Sequence, residues 1–329
     1  MSPPEPKRLD QTQDWIAPSD AVNQTQEYIP DGIVPAPPPK APTKVLVSTL
    51  GDFRLIGKLG EGGMGTVFKA IQISRNRVVA LKVMSKEIGV KASFVERFHR
   101  EVRVMGKLDH TNIVRLVAAG EAHGFIFLAM ELLEGGTVGT WLGKLGRFPV
   151  ADAALIAKSC GRALQYAHES GLIHRDVKPD NLLISKTGIV KLADLGLAKT
   201  TDDADVGLTR TGIGIGTPLY AAPEQVRDAK HVDPRCDLYA LGCLLYHCLT
   251  GITPFPATDM LTLIKAKEKG TYVTASIVNK RIPPALDRIL SRLLAKLPDH
   301  RYPTAAQFLQ ELEFTGLAGD ELSFLTAAK

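Results

Sequence analysis

Three places in this 329-residue chain set glycines or charged residues where simple packing would not choose them. The first is Gly60-Glu61-Gly62-Gly63-Met64-Gly65, between two runs of β-forming residues. Glycine has no Cβ, so such a loop lets backbone amides approach a phosphate closely and tolerates positive φ. Alone, G-x-G-x-x-G is a weak signal. A dinucleotide-binding fold needs a helix straight after it and an acidic residue about 20 positions on. Here a strand pattern follows and position 82 is a lysine, so that reading fails. The second place is Lys82 itself, ending the apolar run Val79-Ala80-Leu81. An ammonium there is costly unless anions meet it. Phosphates and one carboxylate would serve, and Glu101 is the candidate carboxylate. A lysine snorkelling to water is the plain alternative, and the glycine loop just upstream argues against it. The third place is His174-Arg175-Asp176-Val177-Lys178-Pro179-Asp180-Asn181, followed by Leu182-Leu183-Ile184.

The elements that must position these residues can be read from periodicity. Residues 54–59, 66–71 and 78–84 are β-rich runs separated by turn residues, and 113–118 and 125–131 are two further strand candidates. Between them, Phe94, Phe98, Val102 and Met105 recur at helical spacing, which puts Glu101 on the inward edge of a helix. Five strands and one helix make a small lobe. After Gly135-Gly136 the pattern turns mainly helical, with a long helix over 151–169. Asp233 and Pro234 suit the N-cap and first position of another helix, apolar almost all round from Leu238 to Leu249 and ended by Gly251. A helix of that kind belongs at the centre of a lobe. Thr304 and Gln307 fit a capping box before Phe308.

Composition bounds the function classes. Hydrophobic content of 45% with 23% charged residues suits a globular protein. The formal charge is +5; residues 1–50 carry −2 and the remainder +7, with no long basic run, so nucleic acid is not a preferred partner. Cys160, Cys236, Cys243 and Cys248 form no C-x-x-C pair or zinc spacing and sit in apolar stretches, so buried reduced thiols are expected. No transmembrane window and no secretory signal pattern is found, and a cytoplasmic protein is the expectation. Ten of the 21 prolines lie in residues 1–50, which read as a disordered arm. Within it Gln11-Thr12-Gln13-Asp14-Trp15 is echoed by Gln24-Thr25-Gln26-Glu27-Tyr28. That is a chance repeat in a linker, or a pair of phosphorylatable docking sites for a phosphothreonine-binding partner.

The octet from His174 to Asn181, in order after the glycine loop and the lysine strand, resembles the catalytic loop of eukaryotic-type (Hanks-type) serine/threonine protein kinases, and Gly62-Gly63-Met64-Gly65 is especially similar to bacterial members. The resemblance covers residues 52–315. It implies an α+β bilobal fold, with a small antiparallel β lobe over 51–133, a larger helical lobe over 134–315, and a C-terminal tail over 316–329. It implies ATP and Mg²⁺ as cofactors, with Mn²⁺ as an alternative ion, and proteins as substrates. By the same resemblance Asp176 orients and deprotonates the attacking hydroxyl, and Asn181 and Asp194 hold the metal. Lys82, held by Glu101, anchors the α- and β-phosphates, and Lys178 lies by the γ-phosphate. Leu59, Gly60, Glu61, Gly62, Gly63, Met64 and Gly65 cover the nucleotide, Val67, Ala80 and Leu183 sandwich adenine, and Met130, Glu131 and Leu133 form the hinge.

Further implications are regulatory or structural. Asp194-Leu195-Gly196 departs from the family's Asp-Phe-Gly; the acid and glycine are kept, so activity is expected to survive, and switching to an inactive state is what the leucine puts in doubt. Arg175 calls for an anion, with Thr209 and Thr211 as the nearest candidate phosphorylation sites. Thr217, with Lys178, points to Ser/Thr substrates. Glu224 is expected to pair with Arg301, Asp237 to hold the backbone of the catalytic loop, and Met105, Leu116, His174 and Leu195 to stack across the lobes. Family members also activate through dimers, so a homodimer during autoactivation is included. A nucleotide-binding pseudokinase scaffold is the rival, but every catalytic position is filled. A small-molecule phosphotransferase is a second, but it lacks the features seen at Thr217 and at Ala222-Pro223-Glu224.

Overall fold

The computed structural model describes residues 49–62, 65–85, 92–195, 217–227 and 232–326. Its first lobe is a six-stranded antiparallel sheet: β1 (Thr49–Leu50), β2 (Phe53–Gly62), β3 (Gly65–Gln72), β4 (Arg77–Met84), β5 (Leu116–Ala122) and β6 (Phe125–Glu131), in the order β1-β2-β3-β4-β6-β5. Helix α1 (Ala92–Met105) joins β4 to β5. The five expected strands are present, and β1 is an addition. Its Thr49 and Leu50 pair with Arg54 and Phe53, so the last two residues of the supposed arm belong to the sheet. The strand expected over 113–118 is divided. Its first half leaves the sheet, because Val114 N donates to Leu192 O at 2.9 Å, and only from Leu116 does the chain pair with β6.

Period-two alternation gives the sheet two unlike faces. Leu55, Ala70, Val79, Leu81, Val83, Phe127 and Ala129 pack with Leu50 and Phe53 into a core belonging to this lobe alone. The intervening residues of β4, Ala80 and Lys82, fall on the opposite face. In register with them, Val67 lies beside Lys82, and Met130 beside Ala80.

The second lobe is helical: α2 (Val138–Leu145), α3 (Val150–Glu169), α4 (Pro223–Arg227), α5 (Arg235–Thr250), α6 (Met260–Lys269), α7 (Ala275–Val278), α8 (Pro284–Leu293), α9 (Ala305–Phe314) and α10 (Ser323–Thr326). A two-stranded ribbon, β7 (Leu182–Ile184) with β8 (Val190–Leu192), lies between α3 and α4 in sequence and was not anticipated. Helix α5 is the expected central element: apart from Arg235 and His247 every residue in it is buried. It starts one residue later than anticipated, with Pro234 as cap and Asp233 accepting from Arg235 N at 2.8 Å, and it ends at left-handed Gly251. Thr304 caps α9 as expected by accepting from Gln307 N. All four cysteines are buried and free, and burial pushes each thiol pKa up, that of Cys243 to about 11.

Candidate active site

The loop from His174 to Asn181 runs between α3 and β7 and is held from below by one carboxylate. Asp237, on the first turn of α5, accepts His174 N at 2.8 Å, Arg175 N at 2.7 Å and His168 Nε2 at 2.8 Å. Asp237 has no solvent exposure, so these donors replace its water. The anticipated role of Asp237 is what the geometry shows; that of His168 had no signal in the sequence. The His174 ring accepts Asp176 N on Nδ1 at 3.2 Å and donates from Nε2 to Ala193 O at 2.8 Å, which ties this loop to the segment carrying Asp194. Ala193 N in turn donates to Asn181 O at 2.8 Å.

On this frame three polar side chains converge. Asp176 Oδ2 accepts from Lys178 Nζ at 2.8 Å and from Asn181 Nδ2 at 3.1 Å, and Asn181 Nδ2 also donates to Asp176 O at 2.7 Å. Both donors use one oxygen, and Asp176 Oδ1 accepts no bond from the described residues. Arg175 and Asp194 both have left-handed backbone, φ 65° and 57°. For non-glycine residues that conformation is costly and is kept where the surroundings over-determine it. Here the surroundings are the bonds to Asp237 and from the His174 ring.

Lys82 meets Asp194, Nζ to Oδ2, at 2.8 Å. Among the described residues this is its ion pair, and it makes none with half-buried Glu101 on α1, the partner expected from sequence. The physical requirement is the same: an ammonium only 9% exposed must face a carboxylate, and Asp194, carried on the strained turn, is the one within reach.

The apolar wall lies on the sheet face that turns away from the small-lobe core. Val67, Ala80 and Met130 share it with Lys82; Leu183, expected opposite them, is half-buried on β7. Leu59, Gly60, Glu61 and Gly62 are exposed on the β2–β3 hairpin. Gly65 has φ 144°, and a Cβ there would lie 2.0 Å from Val83 O, so only glycine closes this hairpin onto β4. Gly63, Met64, Thr209 and Thr211 lie outside the described residues, and of Thr217 only the backbone turn Thr217–Leu219 is described. Glu131, at the end of β6, accepts from Arg115 N at 2.7 Å and Lys191 Nζ at 2.8 Å. Leu133 is half-buried just beyond it. Met105, His174 and Leu195 are buried, and Leu116 packs against the core that holds Met105 and Leu195.

Behind the loop, Glu224 of α4 meets the fully buried guanidinium of Arg301, Nη1 to Oε1 at 2.5 Å and Nη2 to Oε2 at 2.8 Å. Gln225 Nε2 donates to Arg175 O at 3.0 Å, fastening α4 to the catalytic loop.

A family model for the protein kinase domain matches residues 53–313. The chain belongs to the protein kinase family. The kinase is 37% identical over 270 residues to serine/threonine-protein kinase PknL of Mycobacterium tuberculosis, covering 82% of this chain and 67% of PknL. It is 38% identical over 269 residues to serine/threonine-protein kinase PksC of Streptomyces coelicolor, covering 79% of this chain and 48% of PksC. The crystal structure of the Mycobacterium tuberculosis PknI kinase domain superposes with a TM-score of 0.66 at 27% identity, over 82% of this chain and 98% of that one. The bilobal α+β architecture is thus the family's, and the relatives make this kinase one of the serine/threonine type. It spans 67% of the length of PknL and 48% of that of PksC.

Proposed function

We propose that the kinase transfers the γ-phosphoryl group of ATP to serine and threonine hydroxyls of proteins. The observation that carries this is the convergence of Lys178 and Asn181 on one oxygen of Asp176, which leaves Oδ1 to take the proton of an incoming hydroxyl. Phosphoryl transfer needs positioning and charge neutralisation more than covalent help. Lys178 sets a cation beside the base, and Lys82 sets another on the cleft face of β4.

The residues present fit Mg²⁺. Asn181 turns its amide nitrogen to Asp176, so its Oδ1 is left as an acceptor, and its backbone O binds Ala193 N, the residue before Asp194. No group of three His, Cys, Asp or Glu converges anywhere among the described residues. A pair of oxygen ligands completed by phosphates and water suits Mg²⁺, with Mn²⁺ acceptable, better than a cage-binding ion. When bound, the metal neutralises phosphate charge; Asn181 and Asp194 are the residues that would hold it.

Phosphorylation of Thr209 or Thr211 by the kinase itself, within a transient homodimer, would give Arg175 its anion. Phosphate on Thr12 or Thr25 would recruit a phosphothreonine-binding partner. The test is radiolabelled ATP with a basic protein acceptor. Asp176→Asn should lower incorporation by about a hundredfold or more, and equal label in both proteins would refute the reading. Mass spectrometry of the wild-type product locates the phosphates; none on Thr209 or Thr211 removes the regulatory part.

A further inference from the structure

Helix α6 carries three lysines at alternate positions, and they are not alike. Lys265 and Lys269 are exposed, whereas Lys267 is 1% exposed. Its Nζ donates to Pro218 O at 2.9 Å, Leu219 O at 2.9 Å and Ala221 O at 2.5 Å, and lies 5.4 Å from the centroid of the Tyr239 ring. An ammonium has three N–H groups, and three carbonyls take all of them. Burying a lysine is expensive, and a methionine would fill the same space without that cost. What methionine cannot do is satisfy three carbonyls turned to one point inside the lobe.

Those carbonyls belong to the short segment that follows Thr217 and precedes α4. The segment is fastened on its other sides as well. Tyr220 Oη and His247 Nδ1 are 2.7 Å apart, and Ala222 N donates to Gln225 Oε1 at 2.9 Å, with Gln225 reaching Arg175 O in the catalytic loop. Lys267 therefore sets the peptide planes of residues 218–221, and with them the surface this segment presents next to the acceptor site. Among the described residues the hydrogen bonds of Lys267 Nζ all go to this segment.

We propose that Lys267 is a positioning residue for the protein substrate, holding the 218–221 segment in the shape that receives polypeptide beside the acceptor hydroxyl. The inference rests on the reading of the chain as a kinase acting on proteins. It predicts a split in the kinetic constants that a general loss of structure would not produce. Lys267→Met raises KM for a threonine-containing basic peptide about tenfold. KM for ATP, and the slow hydrolysis of ATP without peptide, stay within about twofold of wild type. Lys267→Arg, which keeps a cationic multiple donor, recovers most of the peptide affinity.

A second measurement needs no substitution that empties the site. Burial pushes Lys267 down to about 8, and the groups facing it are Glu224 from α4 and Tyr239 and Cys243 from α5. Burial holds the Cys243 thiol at about 11 and the Tyr239 phenol higher still than its usual value, so neither titrates near pH 8. An uncharged amine has two N–H groups for three carbonyls. Peptide KM of the wild type should thus climb as pH rises through about 8 while ATP KM stays level, and Lys267→Arg should show no such climb, since a guanidinium keeps its proton. A flat wild-type profile, or Lys267→Met with wild-type peptide KM, or equal losses toward peptide and ATP, overturns the role given to Lys267 and leaves the kinase reading standing. Failure of the wild type to label any protein removes both.

Discussion

Asp237 takes no part in the proposed chemistry, yet three nitrogen donors, from His168, His174 and Arg175, end on its two oxygens. Burial by itself would raise its carboxyl pKa; the His168 hydrogen bond and the His174 amide outweigh that and hold it below the ordinary 3.8. Asp237→Asn keeps the shape but points an amide N–H at a donor, so it should cost about 3 kcal/mol of unfolding free energy at neutral pH. The sign of the pH effect follows from the lowered value. The unfolded chain binds the proton more tightly, so Asp237's contribution is complete above 3.8 and is lost as pH falls through the lower folded value. Urea unfolding of wild type and Asp237→Asn should therefore show a gap that is full at neutral pH and narrows only below 3.8. A gap that already closes between neutrality and that value would contradict the assignment.

Among elements, Arg301 joins α4 to the start of α5 and to the segment that follows α8. Besides its two bonds to Glu224, it donates to Ala295 O at 2.8 Å, Lys296 O at 2.9 Å and Arg235 O at 3.1 Å. The planar fork can serve these acceptors together and a lysine cannot. Arg301→Lys should cost about 3 kcal/mol or more, because carbonyls and a carboxylate are left without donors, and thermal unfolding measures it. That pair was implied by the resemblance to protein kinases, whereas β6, α3 and the apolar α5 were legible because each rests on local periodicity. The contacts that were missed share another cause. Lys267 lies 46 to 49 residues from the carbonyls it binds, and His168 lies 69 from Asp237, so no spacing announces either. For Lys82 the sequence offered Glu101, and among the described residues the ion pair is with Asp194; both suit a buried ammonium chemically, and only the fold decides which one it meets. The strand expected over 113–118 was divided because Ile113 and Val114 are equally good β-formers against β8, where the chain's path takes them.

At the scale of the whole molecule, the end of the chain, set apart as a tail on sequence grounds, returns to the large lobe. Gly319 N donates to Ala151 O at 3.1 Å, Ser323 Oγ donates to Asp152 Oδ2 at 2.7 Å, and Ser323 N donates to Asp152 Oδ1 at 3.1 Å. Buried Phe324 stands 4.8 Å from the Trp141 ring of α2 and 5.2 Å from Phe148. Trp141 Nε1 in turn donates to Gly135 O at 2.8 Å, just past the hinge. Sequence pattern could not show this docking, since Leu322-Ser323-Phe324-Leu325 is too short to carry a helical period. A four-residue helix such as α10 has no stability of its own, so its order comes from the contacts of Leu322, Ser323 and Phe324. Phe324→Ala should then act as a release of the whole segment, lowering stability by about 3 kcal/mol. Deleting residues 317–329 should cost the same within about 0.5 kcal/mol, since the two changes remove one cooperative unit. Trp141 provides the reporter: it is one of two tryptophans, the other being Trp15, and both variants should shift its emission to the red by equal amounts. A deletion much more costly than Phe324→Ala, with Trp141 emission unchanged in the point variant, would show that the segment holds without its aromatic anchor.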